Sequence, residues 1–96
     1  MKKLLLVLLA LPLLGFGQTA EDYFNKAEDY AENEQYQLAI DNLTAALKIN
    51  PDYASAYYNR GLANKKAGFP YCSDYEKACD LGIKESCKSY SEQCSK

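Results

Sequence analysis

The sequence predicts an all-α protein made of antiparallel helical hairpins stacked side by side and closed by a C-terminal capping helix. Three observations predict it. The stretch "AEDYFNKAEDYAENE" from Ala20 aligns with "ASAYYNRGLANKKAG" from Ala54 at an offset of 34, matching Tyr23 with Tyr57, Phe24 with Tyr58, Asn25 with Asn59 and Ala27 with Gly61. A period of that size marks a stacked helical hairpin repeat. Ala39, Ile40, Leu43, Ala46 and Leu47 recur at the spacing of one helix face, and beyond residue 17 nothing alternates as a strand should.

Taken in order, the chain begins "MKKLLLVLLALPLLGFGQTA", with Lys2 and Lys3, an apolar run from Leu4 to Leu14, and small residues at Gly15 and Gly17. That three-part pattern predicts a secretory signal peptide over 1–17. Its apolar run is too short to cross a bilayer comfortably, so no membrane contact is expected once it is removed. Cleavage leaves about 79 residues, one small domain over 18–96. The net charge of −2 becomes two units more negative without Lys2 and Lys3, which gives no electrostatic footprint for nucleic acid. Export places the domain in a secreted or periplasmic, oxidising setting.

Helices are expected at roughly 20–33, 37–49, 53–67, 70–81 and 83–95. Pro51 disfavours helical geometry at Asn50 and can open the next helix with Asp52. Gly68 and Gly82 are natural stops, since glycine accepts the left-handed conformation at helix ends. The second halves of the hairpins align at an offset of 32, with Ile40 on Cys72, Leu43 on Tyr75, Ala46 on Ala78 and Leu47 on Cys79. Two residues are therefore lost in the turn around Gly68-Phe69-Pro70. The expected division is a first repeat over 20–53, a degenerate second repeat over 54–82 and a capping helix over 83–95.

All four cysteines fall between 72 and 94, at intervals of seven, eight and seven. Residues seven apart share a helix face but sit about 10 Å apart along it, so Cys72 cannot reach Cys79, nor Cys87 reach Cys94. A bend at Gly82-Ile83 sets Cys79 level with Cys87 and Cys72 level with Cys94, and these two bridges are predicted from the three connectivities open to four cysteines. The last helix carries only Ile83, Cys87, Tyr90 and Cys94 on its apolar stripe, so it needs such staples. Zinc sites favour closer cysteine pairs or histidine, and the chain has no histidine; no metal is expected. Redox exchange chemistry normally uses Cys-x-x-Cys, which is absent.

No enzyme chemistry is expected. Without histidine, acid–base work would fall to carboxylates, lysines or tyrosines. Glu28 with Glu32, and Asp29 with Glu32, lie at helical spacing but read as a solvated acidic face. Neither a phosphate loop nor a nucleophile elbow is present, and no cofactor is implied. Of the nine tyrosines, Tyr23, Tyr30, Tyr57 and Tyr75 are expected in the repeat core.

At these residues the chain resembles the tetratricopeptide repeat family. Tyr23, Ala27, Tyr30, Ala39, Leu43, Ala46 and Pro51 fill that family's pattern of aromatic, small, apolar and proline positions in the first repeat, and Tyr57, Gly61, Tyr75 and Ala78 do so in the second. The resemblance implies a short solenoid whose inner helices line a groove for a peptide or partner helix. The matching groove positions are Phe24, Asn25 and Glu28, then Tyr58, Asn59, Leu62 and Lys65. Relatives that grip a C-terminal carboxylate need lysine and asparagine where this chain has Phe24 and Glu28, so a mixed apolar and polar ligand is implied. "KACDLGIKESC" is locally similar to the cysteine-rich form of the Sel1-like repeat, in which two cysteines clip the helices of a hairpin; here these are Cys79 and Cys87.

The functional expectation is a non-catalytic protein–protein interaction module in an exported compartment. Two other readings stand beside it: a cell-wall or small-molecule binding or hydrolysing protein of the Sel1-like type, and a self-assembling homo-oligomer, since two repeats are fewer than usually make an independent stack.

Overall fold

The computed structural model describes residues 17–95. Apart from Gly17, the expected signal peptide therefore lies outside the described residues. These residues form α1 (Ala20–Glu32), α2 (Tyr36–Ile49), α3 (Ala54–Ala67), α4 (Cys72–Asp80) and α5 (Lys84–Gln93), and contain no strand. Each helix packs on the next one in the chain, as short connections between antiparallel neighbours require. The result is a short all-α solenoid. Helix α4 starts later than the sequence suggests, because Gly68, Phe69, Pro70 and Tyr71 make an irregular turn before Cys72.

The helix ends have identifiable causes. Thr19 caps α1 in a capping box: Asp22 N–H donates to Thr19 Oγ1 at 3.1 Å, and Thr19 N–H donates to Asp22 Oδ2 at 3.0 Å. Asn50 is extended before Pro51, which stops α2. At Gly68 (φ 87°) and Gly82 (φ 107°) the chain turns left-handed, with Phe69 N–H donating to Asn64 O at 2.8 Å and Ile83 N–H to Ala78 O at 3.0 Å. The end of α1 uses the same closure, Gln35 N–H to Tyr30 O at 2.8 Å, but the left-handed residue there is Glu34 (φ 61°).

The first core is small and close-packed: Ala27, Ala39, Leu43, Leu47, Ala56 and Ala63, flanked by Phe24, Tyr30, Tyr36, Ile40, Tyr53 and Tyr57. Alanines at the crossings let the helices approach, and the aromatic rings close the edges. Tyr57 also ties the turn down, its hydroxyl donating to Pro51 O at 2.9 Å. Tyr23, expected in the core, is only half-buried, with the Lys26 ammonium 5.9 Å from its ring centroid. Its neighbour Phe24 packs against the core instead and stacks on Tyr53 at 4.9 Å between ring centroids, because Tyr53 at the entry to α3 offers it a face.

In the second hairpin Tyr75 and Ala78 are fully buried, and so is Ser86 of α5, whose hydroxyl donates to Tyr75 O at 2.7 Å. Ser86 is the buried residue of α5, so packing alone holds that helix weakly. The bridges are Cys72–Cys94 and Cys79–Cys87, with Cα atoms 5.7 and 4.6 Å apart. Both match the predicted connectivity, and they staple α5 along α4 near both ends. Replacing Cys79 and Cys87 by serine is expected to lower stability by roughly 2 kcal/mol through lost chain constraint. Hydrogen exchange should quicken first within 84–93; unchanged protection there, with the bridge gone, would show that the staple does not hold α5.

Candidate functional groove

Helices α1 and α3 flank α2 with little contact between them, and the space they leave is a groove of about 360 Å³. Its floor is apolar, made by Ala27 and Ala31 of α1, Ala39 and Leu43 of α2 and Ala63 of α3. Short side chains at these positions leave the depth. Glu28 and Glu32 stand one turn apart on the α1 wall; Asn59, Leu62 and Lys66 stand at successive turns on the α3 wall, and Tyr36 closes one end.

Of the expected groove residues, Glu28, Asn59 and Leu62 come together here, and Leu62 is 39% exposed. The others make different contacts. Phe24 is stacked on Tyr53, and Tyr58 sets its ring against Tyr75 with centroids 5.8 Å apart. The Lys65 ammonium donates to Gln93 Oε1 at 2.8 Å and lies 5.6 Å from the Tyr71 ring centroid. Asn25 is exposed on α1 outside the lining. Glu32 and Lys66, which line the groove unforeseen, lie four residues beyond Glu28 and Leu62. One more helical turn along the same faces is the signal that finds them.

The two walls differ in charge, with carboxylates on α1 facing the Lys66 ammonium side on α3. The acidity of α1 reaches further: the Tyr53 hydroxyl is held above the usual tyrosine range by burial, then by Glu21 and Glu28. Behind α3 lies a polar cluster of a different kind. Arg60 binds Asp74 through two parallel bonds, Nε to Oδ2 at 2.9 Å and Nη2 to Oδ1 at 2.8 Å, and its Nη1 donates to Thr44 Oγ1 at 3.1 Å. Asn64 Nδ2 adds a bond to Asp74 Oδ2 at 3.1 Å. This cluster joins α2, α3 and α4 and is spent on structure. Among the described residues no group of three or more His, Cys, Asp and Glu could hold a metal, and no helix is long and apolar enough to cross a membrane.

Stacked antiparallel hairpins with a groove across their inner helices define a helical-repeat protein. The family model for the TPR repeat matches residues 27–68, which supports a tetratricopeptide repeat protein. Every residue that lines the groove falls within the matched stretch. TPR repeats are typically non-catalytic and usually bind other proteins or peptides, which supports a protein–protein interaction module. The stapled hairpin lies beyond the matched residues, and its two disulfides fit an oxidising environment. No curated protein matches the chain.

Proposed function

We propose that the protein is an exported, non-catalytic adaptor that holds a peptide or a partner helix in the groove between α1 and α3. The observation that carries this reading is the groove itself: an apolar floor of Ala27, Ala31, Ala39, Leu43 and Ala63 under a rim of amide, carboxylate and ammonium groups. Such a surface rewards an apolar anchor and fixes its direction with a few polar contacts. Glu28, Asn59 and Leu62 are its centre; Phe24, Asn25, Tyr58 and Lys65 extend or support the same inner face. Residues 1–17 act as the signal for export, 20–53 and 54–82 as the two repeats, and 83–95 as the cap.

The test is peptide selection on the immobilised protein followed by titration of the selected peptides. Leu62→Asp should weaken them by about 10- to 100-fold, the loss of one buried anchor, while a change on the far side such as Lys77→Ala leaves them unchanged. Peptides that bind the Leu62→Asp protein as tightly as the parent would move the working surface elsewhere. The Cys79–Cys87 clip favours a second reading, in which 77–87 is a Sel1-like element and the ligand is a cell-wall fragment. Soluble wall fragments in the same titration distinguish the two.

A further inference from the structure

Helix α2 presents a second apolar surface that the groove does not use. Leu38, Asn42, Ala45 and Ile49 recur at spacings of four, three and four, which places them on one stripe of the helix. Leu38 is 41% exposed and Ile49 52%, with Asn42 and Ala45 half-buried between them. The core-facing residues Ala39, Leu43, Ala46 and Leu47 point another way, and Thr44, which accepts from Arg60 of α3, lies on a separate flank. Beside the stripe stand Asp41 and Lys48, both exposed, and among the described residues neither has an ion-pair partner in its own chain.

The pattern is self-complementary. If α2 lies antiparallel against α2 of a second copy, a twofold axis through the middle of the helix sets Leu38 against Ile49 and Asn42 against Ala45, and each pairing occurs twice. The same rotation brings the Asp41 flank of one copy to the Lys48 flank of the other, so the rim is attractive at both ends. Two stripe positions of alternating spacing are the seam of a two-helix coiled coil, and charges beside such a seam set orientation. We infer that a second copy of this chain docks here, forming an isologous dimer through α2 and leaving both grooves open. One helix pair is a small contact, so the dimer is weak and concentration-dependent, with a dissociation constant on the order of 10 to 100 µM. At the far end of the stack the outer side of α4 is already covered by α5.

Sedimentation equilibrium of the purified, disulfide-intact protein between about 5 and 500 µM reads this directly. The parent should show a reversible monomer–dimer equilibrium, and Ile49→Asp should remain monomeric with an unchanged circular dichroism spectrum, since Ile49 is exposed. Asp41→Lys and Lys48→Asp should each weaken the dimer by about tenfold, and the double variant should return to within a few-fold of the parent. The groove variant Leu62→Asp should dimerise like the parent. A parent that stays monomeric across the range overturns the inference. So does an Ile49→Asp protein that dimerises normally, or a double charge variant no tighter than the single ones. A dimer lost in Leu62→Asp but kept in Ile49→Asp would place the second copy in the groove instead.

Discussion

Tyr75→Ala is expected to lower the free energy of unfolding by about 3–5 kcal/mol, a large share of what a domain of this size possesses. Tyr75 is 1% exposed and is the largest fully buried side chain among the described residues. Its ring lies directly on the backbone of α3: a Cβ added at Gly61 would fall 2.6 Å from Tyr75 Cδ1 and 2.7 Å from Cε1. The first hairpin solves the same crossing with Ala27 and Leu43. A larger side chain on one helix is thus matched by the loss of a methyl on the other. Gly61→Ala alone should cost about 1–3 kcal/mol by overpacking, and Gly61→Ala with Tyr75→Leu should cost clearly less than the sum of the single changes, because it restores the Ala–Leu pair. Urea denaturation followed by circular dichroism measures all four proteins; strict additivity would mean that the two residues do not share the crossing.

The Tyr75 hydroxyl adds a pH signature. Burial first, then the neighbouring Tyr58 and Tyr71, raises its pKa above the ordinary tyrosine value of 10.0. The neutral form is therefore favoured in the folded state. Its contribution is complete below pH 10 and is lost as pH rises through the raised value, so alkaline unfolding should be less steep in Tyr75→Phe.

Much of this architecture is legible because its causes are local. The offset of 34 fixes the pairing of helices, Pro51 and the two glycines fix where they stop, and cysteines seven and eight apart admit few geometries once two helices are folded together. What the residues conceal depends on how helices cross. Tyr23 and Phe24 are adjacent aromatics, and only the position of Tyr53 across the gap decides that Phe24 packs inward. Tyr58 is likewise drawn to Tyr75 by the bulk that replaces Leu43 in the second hairpin. Glu34 takes a left-handed turn without the glycine that would announce it, and Asp22 completes a capping box usually signalled by a longer acid. On α1 the groove lining runs on from Glu28 to Ala31 and Glu32, and on α3 it takes in Ala63 and Lys66 beside Asn59 and Leu62, because its depth follows from Ala31 and Ala63, residues that carry no chemical signal.

Arg60 and Asp74 were equally inconspicuous in the sequence, where charges at helical spacing suggest a wet surface, yet Asp74→Ala should destabilise the protein by about 2–4 kcal/mol. The Asp74 side chain is 8% exposed and that of Arg60 23%, and the guanidinium has its pKa raised chiefly by its bonds to the carboxylate. Removing the acid leaves a half-buried cation held by Thr44 Oγ1 and lying 5.8 Å from the Tyr57 ring centroid, together with the Asn64 amide deprived of an acceptor. The partial exposure of Arg60 lets water recover some of that loss, which places the effect below the full cost of an orphaned buried charge. Asp74→Asn, which keeps the shape and one acceptor, should cost about half as much, and Thr44→Val only about 0.5–1.5 kcal/mol, the value of a single hydrogen bond. Joint replacement by Arg60→Met and Asp74→Leu should recover most of the stability, because apolar packing substitutes well for a buried pair while a lone charge does not. The cluster is also the polar tie between the first hairpin and the second, since Thr44 belongs to α2 and Asp74 to α4. In Asp74→Ala, hydrogen exchange should therefore quicken in α4 and α5 well before α1 and the first half of α2. Uniform quickening across all five helices would instead mean that the two hairpins melt as one unit and that the cluster adds stability without dividing it.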